Sequence, residues 1–547
     1  MPIRLISLAF LLSLFIAENV YSAENNFIFP KNKPSIFKKL KKKVIIHNKQ
    51  LIPNPKPLLE TKEKITLDKN VVKNTKEKTD IKKTLIKNTK DKIDLNIFNN
   101  LILPKKKPKT YKISTTTAKK SKILNEKDFL QAKNIFKLIN SKKWNSALKA
   151  SQKVKDRDFR DLINWMYLKT TGNQASFNDY KQFIEKNYNY PRISRLQYLA
   201  EHKIYLRSNS PTSIINWFQK YPPVSGIGRI KLAEAYLEQG KLDEITPLVK
   251  EGWIKADIRK NDLGYYRAKF KKFLTSGDHI KRADYLAWES KYWDLKRMLK
   301  YLPKDERALY NARQILMSNS YGVDQSISSV PSHLKKDIGL EYDRLKWRNR
   351  RGRLEPSLEI LYENSNKSEE ELVRGDLWWK QRESIVRSLI YKKKYKTAYK
   401  VASEHSLSSG PNFAEAEWLS GWISHSFLGS QEYAINHFLN FYNNVSYPIS
   451  LARGAYWLGQ SYKALSDNKM AETYFTEGSK FLTTYYGQLS FNEINKGQKF
   501  TLEDQSTFSK EFEEKFLKNV LVNHVKLLKE LDQTKYSKDI IKHLAEI

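Results

Sequence analysis

The densest cluster of arginines in the sequence surrounds one tryptophan. Within ten residues of one another, next to Trp347, the sequence has five of them: Arg344, Arg348, Arg350, Arg351 and Arg353. A guanidinium group is planar and binds a carboxylate through two parallel hydrogen bonds, so such a cluster can hold an acidic ligand. A solvated helix face is the alternative interpretation. The cluster is therefore a candidate contact for anionic groups.

Other patterns with chemical meaning are weak. The nine histidines are scattered, with no His-Glu-x-x-His pair, and the sequence has neither a Gly-rich phosphate loop nor a Gly-x-Ser-x-Gly elbow. Zero cysteines exclude disulfides and thiolate metal ligands. We therefore predict no catalytic residue, no cofactor and no metal site in this sequence.

The amino-terminal residues are typical of an exported protein. Residues 1–23 read as a secretory signal peptide: Arg4 precedes an apolar run from Leu5 to Ala17, and Ser22 and Ala23 offer a cleavage site. An uncleaved membrane anchor is the alternative. The formal net charge of +40 favours an anionic partner or surface, although compositional bias is an equally acceptable cause. We predict a periplasmic location, which argues against nucleic acid as the partner.

Residues 24–124 differ in composition from the rest. They contain 28 lysines, no arginine, eight acidic residues and no tryptophan, which gives +20, half of the total charge. Such a segment cannot bury enough apolar surface to offset its ordering entropy, so it is predicted to be a disordered Lys/Pro-rich linker. It is either a passive tether or a polycationic arm that contacts an anionic surface.

From residue 125 onward the sequence has the period of amphipathic helices. Ala434 and Phe438 are repeated 37 residues later by Ala471 and Phe475, at the offsets of a tetratricopeptide-type helix pair. Stacked pairs add a small rotation at each step. We therefore predict an all-α fold, a right-handed α-superhelix of stacked helix pairs over 125–490, followed by C-terminal helices in 491–547.

Several runs in this region resemble the superhelical domain of the soluble lytic murein transglycosylases, periplasmic enzymes that cut peptidoglycan. The runs are Glu415–Trp422, Tyr447–Arg453, Tyr456–Gln460 and Thr483–Leu489, with upstream matches at Ala283–Trp288, Arg344–Arg348 and Trp378–Arg382. The resemblance covers roughly residues 125–490. It implies a doughnut-forming superhelix, and it implies peptidoglycan as the partner.

The catalytic part of that family is not recognised in this sequence. Its signature is a Glu-Ser pair followed by a Gly-Leu-Met-Gln run, and no such run occurs here. The two Glu-Ser pairs, Glu289-Ser290 and Glu383-Ser384, lie inside superhelical repeats and are interpreted as surface helix residues. In the family the C-terminal helices lead toward the catalytic domain, which is expected to be missing from this chain.

Three hypotheses follow, and enzymatic activity stays open. The first is a lytic-transglycosylase relative without its catalytic domain, which binds or positions peptidoglycan or pairs with a separate catalytic chain. The second is a helical-repeat adaptor for another envelope protein. The third is a truncated product without activity.

Overall fold

The structure is a computed structural model that describes residues 120–318, 321–502 and 508–546. The predicted signal peptide and almost all of the predicted disordered linker lie outside these described residues. Within the described ranges every regular element is a helix, and no β-strand occurs there. The predicted all-α fold of stacked helix pairs is therefore confirmed.

The described residues form 25 α-helices, numbered in chain order. The first twelve are α1 (Glu126–Asn140), α2 (Trp144–Ser151), α3 (Arg157–Leu168), α4 (Phe177–Lys186), α5 (Ile193–Glu201), α6 (Pro211–Lys220), α7 (Gly226–Glu238), α8 (Ile245–Lys255), α9 (Asp262–Lys269), α10 (Ser276–Trp288), α11 (Tyr292–Met298) and α12 (Lys304–Leu316). The others are α13 (Val323–Ser328), α14 (Ile338–Arg350), α15 (Leu354–Glu363), α16 (Gly375–Tyr391), α17 (Tyr395–Ser403), α18 (Gly410–Ile423), α19 (Gln431–Asn443), α20 (Pro448–Ala464), α21 (Asn468–Ser479), α22 (Tyr485–Ile494), α23 (Lys510–Lys518), α24 (Val520–Glu530) and α25 (Lys538–Leu544).

Short polar side chains fix where several helices begin. At the start of α4 the Ser176 hydroxyl accepts the Asp179 N–H, and the Asp179 carboxylate accepts the Ser176 N–H. Thr275 and Asp278 form the same reciprocal pair at the start of α10. A cap of this kind stabilises a helix by about 1 kcal/mol. The sequence therefore sets these helix starts locally.

A three-residue turn recurs between paired helices, and its middle residue has a left-handed backbone. In this turn the N–H of the third residue donates to a carbonyl in the last turn of the helix before it, which is the Schellman arrangement. The middle residues are Lys142, Ser290, Gly352, Lys393 and Ser466, with φ between 55° and 68°. The same pairing unit is thus repeated along the chain.

In the C-terminal helix pairs a glycine allows two helices to approach closely. A Cβ added at Gly421 would lie 2.8 Å from the ring of Phe438, and one added at Gly459 would lie 2.6 Å from the ring of Phe475. Ala434, on the same helix as Phe438, is fully buried. Because only a hydrogen atom fits at such a crossing, the small residues that the sequence repeats determine how the pairs pack.

The last helices return to the first ones. Helix α24 contacts α3, and its buried leucines Leu521, Leu527 and Leu528 belong to the same hydrophobic core as the N-terminal helices. On the next helix, the Asp539 carboxylate accepts hydrogen bonds from Lys169 Nζ at 2.8 Å and Arg192 Nε at 3.0 Å. The last helices of the chain therefore pack against its first helices, a return that the periodicity of the sequence did not predict.

Candidate functional site

A cavity of about 340 Å³ lies between α12, α13, α14 and the start of α15. We call it the Trp347 cleft. Its polar lining consists of Ser328, the Trp347 indole, one carboxylate, that of Asp324, and four cationic side chains: Lys335, Arg344, Arg348 and Arg353. Cations therefore outnumber acidic groups in the lining, and the cleft is suited to an anionic ligand.

Helix α14 and the turn after it position this lining. The Asp337 side chain accepts the Leu340 N–H and caps the helix start. Leu340 and Leu345 are fully buried, which fixes the helix face that carries Trp347. The turn at Gly352 ends the helix and brings the Arg353 guanidinium to 4.8 Å from the Trp347 ring centroid.

The five arginines of the sequence cluster differ in position and in contacts. Three of them line the cleft. Arg350 instead donates hydrogen bonds to the carbonyls of Leu316, Met317 and Ser318, and so caps the C-terminal end of α12. Arg351 is not part of the lining, and its guanidinium lies 5.0 Å from the Trp347 ring centroid. The structure thus brings only part of the predicted cluster into one site.

Two of the lining arginines are held by the protein itself. Arg344 Nη1 lies 2.5 Å from Glu341 Oε1, and Arg348 Nη1 donates to the Pro356 carbonyl at 2.6 Å. Burial lowers the pKa of Arg348, and the neighbouring positive charge of Arg344 lowers it further. Because the two cations repel each other, a bound anion between them would stabilise both.

The remaining polar groups of the cleft are available to a ligand. Lys335 and Arg353 make no side-chain hydrogen bond or ion pair with any residue that the structure describes. The Trp347 side chain is only 8% exposed, and its Nε1–H has no acceptor among the described residues. Two cations without an ion pair, beside the ring of Trp347, are suited to a carboxylate next to an apolar surface.

The two Glu-Ser pairs lie elsewhere. The Glu289 carboxylate accepts a hydrogen bond from Arg374 at 2.9 Å, and Ser290 is the left-handed residue of a helix–helix turn. Glu383 forms an ion pair with Arg387 one helical turn away, at 2.7 Å. Each glutamate is partly exposed and paired with an arginine, so neither has the desolvated surroundings that a general acid needs.

A buried network of polar side chains was missed from the sequence because its members are far apart along the chain. Glu417 accepts hydrogen bonds from His405 at 3.0 Å and from His437 at 2.7 Å. The Tyr399 hydroxyl lies 3.0 Å from His437 Nε2 and completes the network. It connects α17, α18 and α19, and it lies outside the linings of the Trp347 cleft and of the cavity beside His202.

The described residues contain neither a candidate metal site nor a candidate membrane-spanning helix. Among the described residues no group of three or more His, Asp or Glu side chains has the arrangement of a metal site. None of the helices in the described ranges combines the length and the hydrophobicity of a transmembrane segment.

Comparison with known proteins gives structural neighbours only. No family model matches the chain, and no curated protein matches it. Among solved structures, the 70 kDa soluble lytic transglycosylase of Escherichia coli is 11% identical with a TM-score of 0.46, and covers 77% of this chain. An inactive mutant of the lytic transglycosylase Slt of Pseudomonas aeruginosa is 14% identical with a TM-score of 0.48, and covers 74% of this chain.

The chain spans less than two thirds of the length of these enzymes, namely 66% of the first and 63% of the second. At such identities and TM-scores the likeness gives no argument about function. We therefore infer the function from the residues of the chain itself.

Proposed function

We propose that this protein binds peptidoglycan in the periplasm, and that the Trp347 cleft holds the carboxylates of its peptide stems. The observation that carries the proposal is the cleft: four cations surround the Trp347 indole, and two of them, Lys335 and Arg353, make no side-chain hydrogen bond or ion pair in the described region. Peptidoglycan combines carboxylates on short peptides with the apolar faces of sugar rings. Arginine and tryptophan side chains are suited to these two features.

Two features of the sequence support the same polymer. The runs that resemble the soluble lytic murein transglycosylases include Arg344–Arg348, which supplies two of the lining arginines. The signal-like residues 1–23 support export to the compartment that contains the wall. We infer a role in binding or positioning the polymer, and Glu289 and Glu383 are not proposed as catalysts, because each is paired with an arginine at the surface.

The test is a binding assay on the full chain with purified peptidoglycan sacculi at low and high salt. The variant Lys335→Gln/Arg353→Gln removes the two unpaired cations and leaves the hydrogen bonds that shape the cleft intact. We expect it to weaken binding about thirtyfold or more at low salt, since two charge-assisted contacts are lost and each contributes roughly 1–2 kcal/mol. The loss should shrink at high salt, because salt screens exposed charges.

A matched control separates the cleft from the overall charge. Lys336→Gln/Lys392→Gln also removes two exposed lysine charges, and neither residue lines the cleft. The Lys-rich residues 24–124 are kept in both proteins, so their contribution is constant. If the control weakens binding as much as the cleft variant does, binding is a property of net charge and the proposal is wrong.

A protein partner is the second candidate function, and one observation favours it. Helix α23 buries none of its residues, and the rings of Phe508, Phe512 and Phe516 stack along it at 5.4 and 6.5 Å. An exposed stripe of phenylalanines is typical of a contact surface. If the cleft variant binds sacculi as well as the wild type does, and Phe512→Ser/Phe516→Ser abolishes retention of envelope proteins by the immobilised chain, the adaptor function replaces the first proposal.

A further inference from the structure

A second cavity of about 340 Å³ lies between α5, α7, α8 and α10, far along the chain from the Trp347 cleft. It has two chemically different sides. One contains Gly226, Arg229 and Lys255, and the other contains His202 and Asp257. Neither the resemblance nor the comparisons assign a role to this cavity.

The first side offers a helix start and one cation without an ion pair, because Arg229 is already paired with Glu251 at 3.0 Å. Gly226 is the first residue of the 13-residue helix α7, and its N–H has no acceptor among the described residues. A Cβ at Gly226 would lie 2.4 Å from the Ala256 nitrogen, so glycine is required to bring the helix start against the end of α8. Lys255 lies at that end and makes no ion pair within the described ranges. A helix N-terminus beside an unpaired lysine attracts an anion.

The second side accepts hydrogen bonds. His202 Nδ1 lies 2.8 Å from the Tyr198 carbonyl, which can only accept, so Nδ1 carries the proton and Nε2 is an acceptor. Burial lowers the pKa of His202, which keeps the ring neutral near pH 7. The Asp257 carboxylate accepts a hydrogen bond from the Tyr198 hydroxyl at 3.0 Å and pairs with Lys291. A carboxylate and a neutral imidazole together favour a ligand that donates protons.

We propose that this cavity binds a zwitterion of the size of an amino acid or dipeptide. The ligand carboxylate contacts the Gly226 N–H and Lys255, and its ammonium group contacts Asp257 and His202. A simple anion such as phosphate fits less well, because it would place negative charge against Asp257 and the lone pair of His202. The inference does not depend on the proposed function, since it concerns a different cavity.

The experiment measures binding to the full chain by calorimetry, with alanyl-alanine as the probe. We expect saturable binding that is weakened about tenfold when the amine is acetylated, and by a similar factor when the carboxylate is amidated, because each change removes one charge-assisted contact. Lys255→Gln should weaken alanyl-alanine binding comparably. Lys250→Gln, on the same helix but outside the lining, should leave it unchanged.

Several outcomes would overturn the proposal. Acetylated alanyl-alanine that binds as well as the free dipeptide would show that the acceptor side plays no part. Inorganic phosphate that binds more tightly than the dipeptide would show an anion site only. If alanyl-alanine shows no saturable binding to a wild-type chain whose thermal unfolding confirms that it is folded, the cavity is not a ligand site.

Discussion

At the scale of single residues, the most constrained carboxylate is Glu417. Burial alone would raise its pKa, but hydrogen bonds from His405 and His437 outweigh burial and lower the pKa from 4.5 to about 2. His405 Nδ1 accepts the Leu407 N–H, so its Nε2 must donate to Glu417. The ionised carboxylate thus connects three helices, and its charge contributes to their stability.

This network predicts a pH dependence. A carboxyl group with a lowered folded-state pKa stabilises the fold above its unfolded value, and that contribution is lost as pH falls toward the folded value. We therefore expect the free energy of unfolding of the wild type to fall by about 2 kcal/mol more than that of Glu417→Gln between pH 5 and pH 3. Urea unfolding of both proteins at the two pH values measures this. An equal loss in both proteins would contradict the network as described.

The sequence predicted the arginine cluster around Trp347 as a candidate site, but it did not predict the buried network around Glu417. The arginines around Trp347 are adjacent in sequence, so their cluster could be predicted, but not that Arg350 would cap α12 instead of lining the cleft. His405, Glu417 and His437 are brought together only by the packing of three helices. No local pattern marks such a group, because its members occupy unrelated positions in successive repeats.

At the scale of the elements, the helix–helix turns whose left-handed residue is not glycine contain local backbone strain. Lys393 has φ 58°, a conformation that costs a non-glycine residue roughly 1 kcal/mol. We expect Lys393→Gly to raise the free energy of unfolding by up to about 1 kcal/mol. Thermal unfolding measures the change. Lys392→Gly, at φ −81°, is the control and should destabilise; stabilisation by both substitutions would refute the explanation.

At the helix crossing around Gly459, by contrast, a substitution is expected to lower the free energy of unfolding. Gly459→Ala places a Cβ 2.6 Å from the Phe475 ring, and overpacking of this kind costs about 1–3 kcal/mol. We expect lower stability and faster hydrogen exchange in α20 and α21, since each repeat contacts only its neighbours. Gly264→Ala is the control, because no atom lies within 4 Å of its Cβ and alanine favours helix. Equal effects of the two substitutions would argue against a close crossing at Gly459.

The helix pairs themselves could be predicted because their small residues recur at a fixed spacing. Ala434 and Ala471 were singled out from the sequence, and both are buried. The closest approach is nevertheless made by Gly421 and Gly459 against phenylalanine rings of the partner helix. The spacing shows that helices pair, whereas the rotation of each helix, which decides the contacting residue, depends on tertiary packing.

At the scale of the whole molecule, the C-terminal helices pack against the N-terminal helices. Tyr190 Oη lies 2.8 Å from His524 Nε2, across 334 residues of sequence. Burial lowers the pKa of His524 to about 4, so the ring is neutral in this contact at pH 7. Such contacts could not be predicted from the sequence, because they depend on the rotation accumulated over the whole array.

The packing of the last helices on the first ones predicts that a destabilising substitution in the C-terminal helices also destabilises the N-terminal helices. Leu528→Ala removes a fully buried side chain in α24 and should cost about 2–5 kcal/mol. Hydrogen exchange should then rise in α1 and α3 as well as in α24 and α25. Ile541→Ala, at an exposed position of α25, serves as the control. Faster exchange confined to residues 520–544 would mean that the ends are not coupled.

The central claim is that the Trp347 cleft recognises the carboxylates of peptidoglycan. The most direct measurement compares the affinity of the chain for muropeptides with free carboxylates and with the same carboxylates amidated. For the wild type, amidation should weaken binding about tenfold, because it removes the charge-assisted hydrogen bonds. For Lys335→Gln/Arg353→Gln, amidation should make little further difference. Wild-type binding that is insensitive to amidation, or a variant that still discriminates fully, would contradict the account.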